Sequence, residues 1–421
     1  MTADKAEYEV RRYDIVLIAL TFILTAIGIL LVFDASYAFA LGHSAVSTKY
    51  VSQQAGWGAL GLAVMWGAGH FPYWKWRALS TIGVLGCIIA LVAVYAPHIG
   101  MSVHGSHRWI GHAPIRIQPS EFAKLFIVLF IARSCAGNVR IMKHFVTGPG
   151  PGILATVVLA LLTAKEPDLG TALLITSIGI ATLFFAGMKL KHLGIILAVA
   201  IVMIGGLVAV KFMHSSGSYQ RDRILIFLHP DSDKEGDGFQ VYHSTLALGS
   251  GGLTGLGIGQ GREKLNLPEA HTDFIFAVIA EEGGLIGSLV ILGLLSCVVA
   301  RGMHIACNTR DRFGSLLAAG ISFGIGIQTF ANIAVVTASM PNTGVPLPFI
   351  SYGGSSLLLS LLMVGILLNI GRYPDGDPTA MRNTKDKKAE QDYNRRWHWS
   401  SGVPQSDRRR SSSTYKNPAA N

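Results

Sequence analysis

The sequence predicts an all-α polytopic membrane protein of about ten transmembrane helices, and three observations carry that prediction. Half of the 421 residues are hydrophobic and only 14% are charged, with a mean hydropathy of +0.44, whereas soluble domains carry about a quarter charged residues. The apolar residues fall in runs close to the roughly 20 residues that cross a bilayer as α-helix. The basic residues lie between those runs and in the last fifty residues, so the net charge of +10 reads as a topology signal and gives no reason to expect nucleic acid.

The first run, Ile15 to Phe33, follows Arg11, Arg12 and Asp14 and has no small-residue cleavage site after it, so it is expected to stay as the first helix. Further runs cover roughly Ala55 to Ala68, Ala78 to Tyr95, Phe122 to Ala136, Ile153 to Ala164, Thr171 to Gly187, Leu193 to Phe212, Phe274 to Ala300, Ser315 to Ser339 and Ser356 to Ile370. Several are shorter than a full span, so polar flanks must complete them, and Glu121 to Lys124 is expected within the thickness of the membrane.

With the N-terminus in the cytoplasm, thirteen Lys and Arg of the short loops and N-terminus fall inside (Lys5, Arg11, Arg12, Lys75, Arg77, Arg133, Arg140, Lys143, Lys189, Lys191, Arg301, Arg310, Arg312) and four outside (Lys49, Arg108, Arg116, Lys165). That bias sets the orientation, and an even number of helices returns the C-terminus to the cytoplasm. The expected divisions are a cytoplasmic N-terminus over residues 1–12, a membrane domain over 13–372 with a large extracytoplasmic loop over 213–273 between helices 7 and 8, and a basic, Ser-containing, disordered cytoplasmic tail over 373–421. Cys87, Cys135, Cys297 and Cys307 have neither zinc nor disulfide spacing and read as small buried hydrophobes.

Polar, Gly- and Pro-punctuated segments crowd the outer face: His104 to Ser120, Lys165 to Gly170, Met213 to Thr272 and Pro341 to Ser355. The inner loops are short and plain, so the work is expected at the outer face. Phe239 to Leu248 is weakly amphipathic and suits the membrane interface. Gly249 to Gly261 holds seven glycines in thirteen residues, which suits a tight re-entrant turn or a close backbone approach to phosphates.

Glu269, His271 and Asp273 then stand directly before an apolar helix bearing Glu281 and Glu282. Asp273 is either a helix N-cap or a general base whose pKa is raised beside apolar walls. The glutamates are costly in a spanning helix and need a partner charge, a cavity or the bundle interior. Trp109 suits an interfacial anchor. Glu121 and Lys124, three apart, either pair with each other or serve a site at membrane depth. Asp168 could cap the next helix or join a cation site.

Four stretches together resemble one family: Gln118-Pro119-Ser120-Glu121-Phe122, Glu166-Pro167-Asp168-Leu169-Gly170-Thr171, Leu267 to Phe276 (LPEAHTDFIF) and Pro346 to Ser356 (PLPFISYGGSS). They closely resemble the shape, elongation, division and sporulation (SEDS) proteins, the FtsW, RodA and SpoVE group, over about Tyr13 to Arg372. The wording of the last two stretches is nearer the division branch than the elongation branch.

The resemblance implies a ten-helix fold that polymerises lipid II, an undecaprenyl-diphosphate-linked disaccharide peptide, at the outer face of the bacterial plasma membrane. It also implies a class B penicillin-binding protein as partner, among other divisome or elongasome membrane proteins. The family's essential acid maps onto Asp273, its first-loop tryptophan onto Trp109, its fourth-helix pair onto Glu121 and Lys124, and its acidic turn onto Asp168. On that reading Asp273 acts as base in an inverting transfer. His271 lies beside it, and Arg108, Lys124, Arg221 and Arg223 are available for the diphosphate. Mg2+ or Mn2+ at Asp273 or Asp168 is an option, and no organic cofactor is expected. A lipid II flippase and a non-enzymatic division scaffold are the competing readings, the plain inner loops counting against alternating access.

Overall fold

The computed structural model describes residues 10–42, 47–96, 100–103, 106–112, 115–137, 148–166, 168–189, 191, 192, 194, 206, 227, 238–268 and 270–378. Residues 9–376 form one compact unit, and residues 1–8 with 377–421 form another. The expected seventh span, Leu193 to Phe212, most of the 213–273 loop before Gly238, and nearly all of the tail lie outside the described residues.

Among the described residues the helices are α1 (Ile15–Gly42), α2 (Ser47–His70), α3 (Tyr73–Ala93), α4 (Pro119–Cys135), α5 (Gly150–Lys165), α6 (Leu169–Phe185), α7 (Phe239–Gly251), α8 (Ile275–Asn308), α9 (Arg312–Val336) and α10 (Gly354–Arg372). Five are long and apolar enough to cross a membrane, within α1, α3, α8, α9 and α10, while α5 and α6 are shorter apolar helices. The amphipathic stretch read from the sequence forms α7.

The helices show why they form where they do. On α3, Ile82, Leu85, Ile89 and Val92 are exposed while Ser80, Val84, Cys87 and Leu91 are buried, so one helix presents separate lipid and bundle faces at helical spacing. Pro119 stands in the first turn of α4, where its missing N–H costs nothing. The Asp311 carboxylate accepts from Gly314 N at 2.9 Å and starts α9. Helix α10 is buried along most of its length. It packs closely along α2, where a side chain at Gly365 would collide with the Met65 carbonyl, the use small residues have between membrane helices.

At one end of the bundle, Arg301 pairs with Asp14 at 2.6 Å, Arg372 donates to the Tyr13 hydroxyl at 2.7 Å, and Asn369 joins the end of α2 to the start of α3 through Gly69 O and Tyr73 N. The opposite end carries the irregular structure. An antiparallel sheet there, β1 (Gly100–Val103), β2 (Ser106–His112) and β3 (Ile115–Ile117), corrects the all-α expectation. Ile110 faces Gly100 and Ile117, and Met101 faces Trp109, with the register shifting between Met101 and Ser102. The segment carries no long apolar run, and Val103, Ile110, Ile115 and Ile117 suit a pleat.

The loop from Pro341 to Gly353 is driven into the bundle, with Leu347, Phe349, Ile350 and Ser351 buried. Irregular backbone at membrane depth is tolerated only where protein satisfies it. Here Gln54 donates to Ser351 O at 3.2 Å, Gln328 to Pro346 O at 2.9 Å, Asn332 to Val345 O at 2.8 Å, and the Ser351 hydroxyl accepts from Leu347 N at 2.8 Å.

Candidate active site

Asp273 is half-buried, two residues ahead of α8. The N-cap of that helix is Phe274, which makes no side-chain cap bond of its own. Its backbone carbonyl accepts from Asn332 Nδ2 at 2.7 Å. A Cβ added to Gly344 would lie 3.3 Å from Asp273 Oδ2, and Gly344 sits at φ +66°, in the left-handed region that favours glycine. The 341–353 loop thus passes directly beside the carboxylate.

His271 is buried between the rings of Tyr50 and Tyr352, at 4.9 and 5.3 Å between centroids. Its carbonyl accepts from Tyr352 N at 2.9 Å. Burial lowers its pKa to about 4, so the imidazole is neutral near pH 7. It packs the Asp273 segment against Tyr352.

The second wall is the turn between α5 and α6. Asp168 caps α6, accepting from Thr171 N at 3.1 Å, and also accepts from Gln118 Nε2 at 3.2 Å. Arg108 approaches Asp168 at 4.0 Å and donates from Nε to the Glu166 carbonyl at 3.3 Å. Of the two readings open to Asp168, the helix cap is the one seen here. Trp109, next along β2, is half-buried and by strand alternation faces away from Arg108. Strand β3 is fastened to the start of α10 through Ser355, which accepts from Gln118 N and donates to Arg116 O. Gly170 packs on Thr343, so the acidic turn and Asp273 touch the same loop from two sides.

Glu166 went unassigned in the sequence beyond its place in the motif. Its side chain is fully buried, and among the described residues neither carboxyl oxygen has a hydrogen-bond partner. Burial first, then the nearby Asp168 charge, raises its pKa to about 8 against the pull of Arg108. Gln328 and Asn332 were also missed. One turn apart on α9, they hold Pro346, Val345 and Asp273 by their carbonyls. Two amides at i, i+4 in an apolar helix were the available signal.

Glu121 and Lys124 pair at 2.8 Å, and Lys124 also donates to Gln328 Oε1 at 2.6 Å, all buried. The pair thus takes the structural reading, supporting the α9 amide that holds the loop. Glu281 and Glu282 likewise find partners. Glu281 Oε1 accepts from Arg262 N and Glu263 N at 2.7 and 3.0 Å. Glu282 accepts from Gly259 N, Gly261 N and Lys264 Nζ at 3.0, 3.2 and 2.6 Å. These amides of the glycine-rich segment are committed to carboxylates, so the close phosphate approach considered for it is not what they serve.

Among the described residues no group of three or more His, Cys, Asp or Glu could hold a metal ion. Both oxygens of Asp168 already accept protein donors. These residues form no metal cage of their own, and Asp168 or Asp273 could hold Mg2+ or Mn2+ only with substrate phosphates completing the shell. Arg221 and Arg223 lie outside the described residues. Beside the site, Gly83, Gly86, Cys87, Ala90, Ile110, Ile117, Pro119, Phe122 and Phe126 line an almost wholly apolar groove of about 380 Å³ between α3, α4 and the sheet.

Fold and site together define a polytopic membrane protein with acidic groups gathered at one end of its bundle, next to a lipid-compatible groove. The model of the FtsW, RodA and SpoVE family, described as cell cycle protein, matches residues 14–375. A probable peptidoglycan glycosyltransferase FtsW of Geobacter metallireducens is 38% identical over 371 residues, covering 88% of this chain and 97% of the relative. Stage V sporulation protein E of Bacillus subtilis is 39% identical over 363 residues, covering 86% and 97%. Among solved structures, a chain from work on structural coordination of polymerization and crosslinking by a peptidoglycan synthase complex superposes with TM-score 0.70 at 27% identity, covering 87% of this chain and 99% of that one. The rod shape determining protein RodA of Thermus thermophilus gives 0.62 at 25%, covering 87% and 98%. This chain belongs to the FtsW, RodA and SpoVE family.

Proposed function

We propose that this protein is a peptidoglycan glycosyltransferase that polymerises lipid II at the extracytoplasmic face of the plasma membrane, in cell division, with a class B penicillin-binding protein as partner. The observation that carries the reading is the half-buried Asp273 carboxylate beside Gly344, in a loop that the acidic turn also touches through Gly170, with Gln118 joining that turn to the start of α10. The names of the relatives support the activity, and the synthase complex supports a crosslinking partner. The bias of basic residues toward the plain loops supports the orientation, with ten spans and both termini inside.

In the reaction, the 4-hydroxyl of an acceptor sugar attacks the anomeric carbon that bears the diphosphate. A new C–O bond forms as the C–O bond to the diphosphate breaks, with inversion from α to β. The hydroxyl proton passes to the Asp273 carboxylate, and undecaprenyl diphosphate departs. A base placed in this way contributes about 10²- to 10⁴-fold. No acid is needed for a leaving group whose charge is met.

Among the described residues Arg108 is best placed for that charge, being partly exposed beside the acidic turn. Lys124 is occupied inside the bundle and His271 is neutral. Mg2+ or Mn2+, when bound with the phosphates, would supply further charge neutralisation. The groove under Ile110 and Ile117 suits a polyisoprenyl tail, keeping it in the bilayer while the sugars meet Asp273.

The test is polymerisation of lipid II by the purified chain with its cognate class B penicillin-binding protein, read as glycan length on a gel. Long glycan strands are expected. Lipid II consumed by neither the chain nor the complex, with both proteins folded and associated, would overturn the assignment.

A further inference from the structure

Helix α8 is broken at Gly284, whose φ of 62° and ψ of −162° are non-helical. The break exchanges partners with the glycine-rich segment. Carbonyls of Glu281 and Glu282, which an unbroken helix would offer to Leu285 and Ile286, accept instead from Leu256 N and Gly257 N at 3.0 and 3.1 Å. The amides of Leu285 and Ile286 donate to Gly252 O and Leu253 O at 3.0 and 3.1 Å. The two glutamate side chains take four further amides from residues 259–263, and Lys264 ties Glu282 to Asp34 of α1 at 2.7 Å. The segment is thus built into α8 and anchored to α1.

Its outer surface is apolar: Leu253, Leu256 and Ile258 are exposed, Ile258 by 90%. That surface continues onto Leu285, Ile286, Leu289 and Val290, the exposed face of α8. Residues 239–261 contain no Asp, Glu, Lys or Arg, although Asp237 and Arg262 stand immediately outside. Depth follows from α8 itself. The Arg301–Asp14 ion pair marks one edge of the apolar layer. Leu285, 16 residues earlier and just past the break, lies about 24 Å away at about 1.5 Å per residue, within the roughly 30 Å of a bilayer core. Leu285 and Ile286, and with them Gly252 and Leu253, therefore lie inside the opposite edge.

We propose that Gly252–Gly261 is a re-entrant loop whose Leu253, Leu256 and Ile258 side chains sit among the acyl chains of the leaflet at the Asp273 end of the bundle, with Glu281 and Glu282 satisfying its backbone there. The clasp explains two adjacent carboxylates at the membrane edge: they supply the acceptors that water would otherwise provide. It also fixes the buried segment Ile275–Glu282, which starts two residues after Asp273.

The test places a nitroxide on Ile258→Cys in a Cys297→Ser, Cys307→Ser background of the full chain, in nanodiscs of phosphatidylethanolamine and phosphatidylglycerol. Power saturation then compares collision with oxygen and with a water-soluble nickel chelate. The oxygen-to-nickel ratio is expected to match that of a label at Leu289→Cys on the exposed face of α8. A nickel-dominated ratio would place the loop in water and overturn the proposal, as would poor access to both reagents, which means cover by protein. In Glu281→Ala, Glu282→Ala the ratio at 258 is expected to shift toward nickel while that at 289 holds. An unchanged ratio at 258 would overturn the clasp, and should this variant not fold, the first comparison still decides the loop's location.

Discussion

Glu166 gives the site its pH signature. The folded protein holds its proton up to about pH 8, while the unfolded chain releases it near 4.5. Folding therefore favours the neutral form, and this contribution to stability is present below about pH 4.5 and is lost as pH rises toward 8. Glu166→Gln keeps the shape without the titration. Its melting temperature is expected to fall less than that of wild type between pH 5 and 8, a comparison made by thermal unfolding in detergent, and an unchanged slope would contradict the assignment. The Glu121–Lys124 pair makes a second test. Lys124→Ala leaves a buried carboxylate unpaired and is expected to cost about 3–5 kcal/mol, whereas Glu121→Leu with Lys124→Met together is expected to cost less, about 1–3 kcal/mol for the Gln328 Oε1 left without its donor. A stable double variant that polymerises lipid II would place Lys124 outside the chemistry. Asp273, Asp168 and Lys124 were legible because their motifs carry them. Gln328 and Asn332 were not, since amides in a glycine-rich apolar helix reveal their role only when the 341–353 loop folds against them.

Two glycines decide how the elements meet. Gly344→Ala would put a methyl group 3.3 Å from Asp273 Oδ2 at a left-handed φ, a backbone cost of about 1–2 kcal/mol. Because displacement by about 1 Å can cost about 100-fold, a fall in kcat of about 10- to 100-fold is expected, with lipid II binding held, measured in steady-state polymerisation. Gly284 occupies a conformation open essentially to glycine alone, and a side chain there would meet the backbone of Leu253 and Gly255. Gly284→Ala is expected to destabilise the protein by about 1–3 kcal/mol, seen as a lower melting temperature. At this scale the helices were legible from their apolar runs, although α8 extends to Asn308, past the expected Ala300. Its break was not, because Gly283-Gly284 inside an apolar run reads equally as close packing. The sheet at 100–117 was missed because a membrane composition suggests helices, and its strands are only a few residues long.

Across the whole molecule, polar work gathers at one end and structural ties at the other. The Asp14–Arg301 and Tyr13–Arg372 contacts close one end of the bundle, while Asp273, Asp168, Glu166 and Arg108 surround the buried loop at the other. The sequence made this polarity visible through its plain basic loops and punctuated polar ones. It could not show that the acids meet through one loop, since Asp168 and Asp273 are 105 positions apart and Gly344 lies a further 71 beyond. The assignment of Asp273 as acceptor of the attacking hydroxyl's proton is tested by lipid II polymerisation with Asp273→Asn against wild type, each with the cognate class B penicillin-binding protein and with and without a chelator. Loss of about 100-fold or more is expected, with melting temperature and partner binding unchanged. Wild-type rates from Asp273→Asn in a competent complex would contradict it.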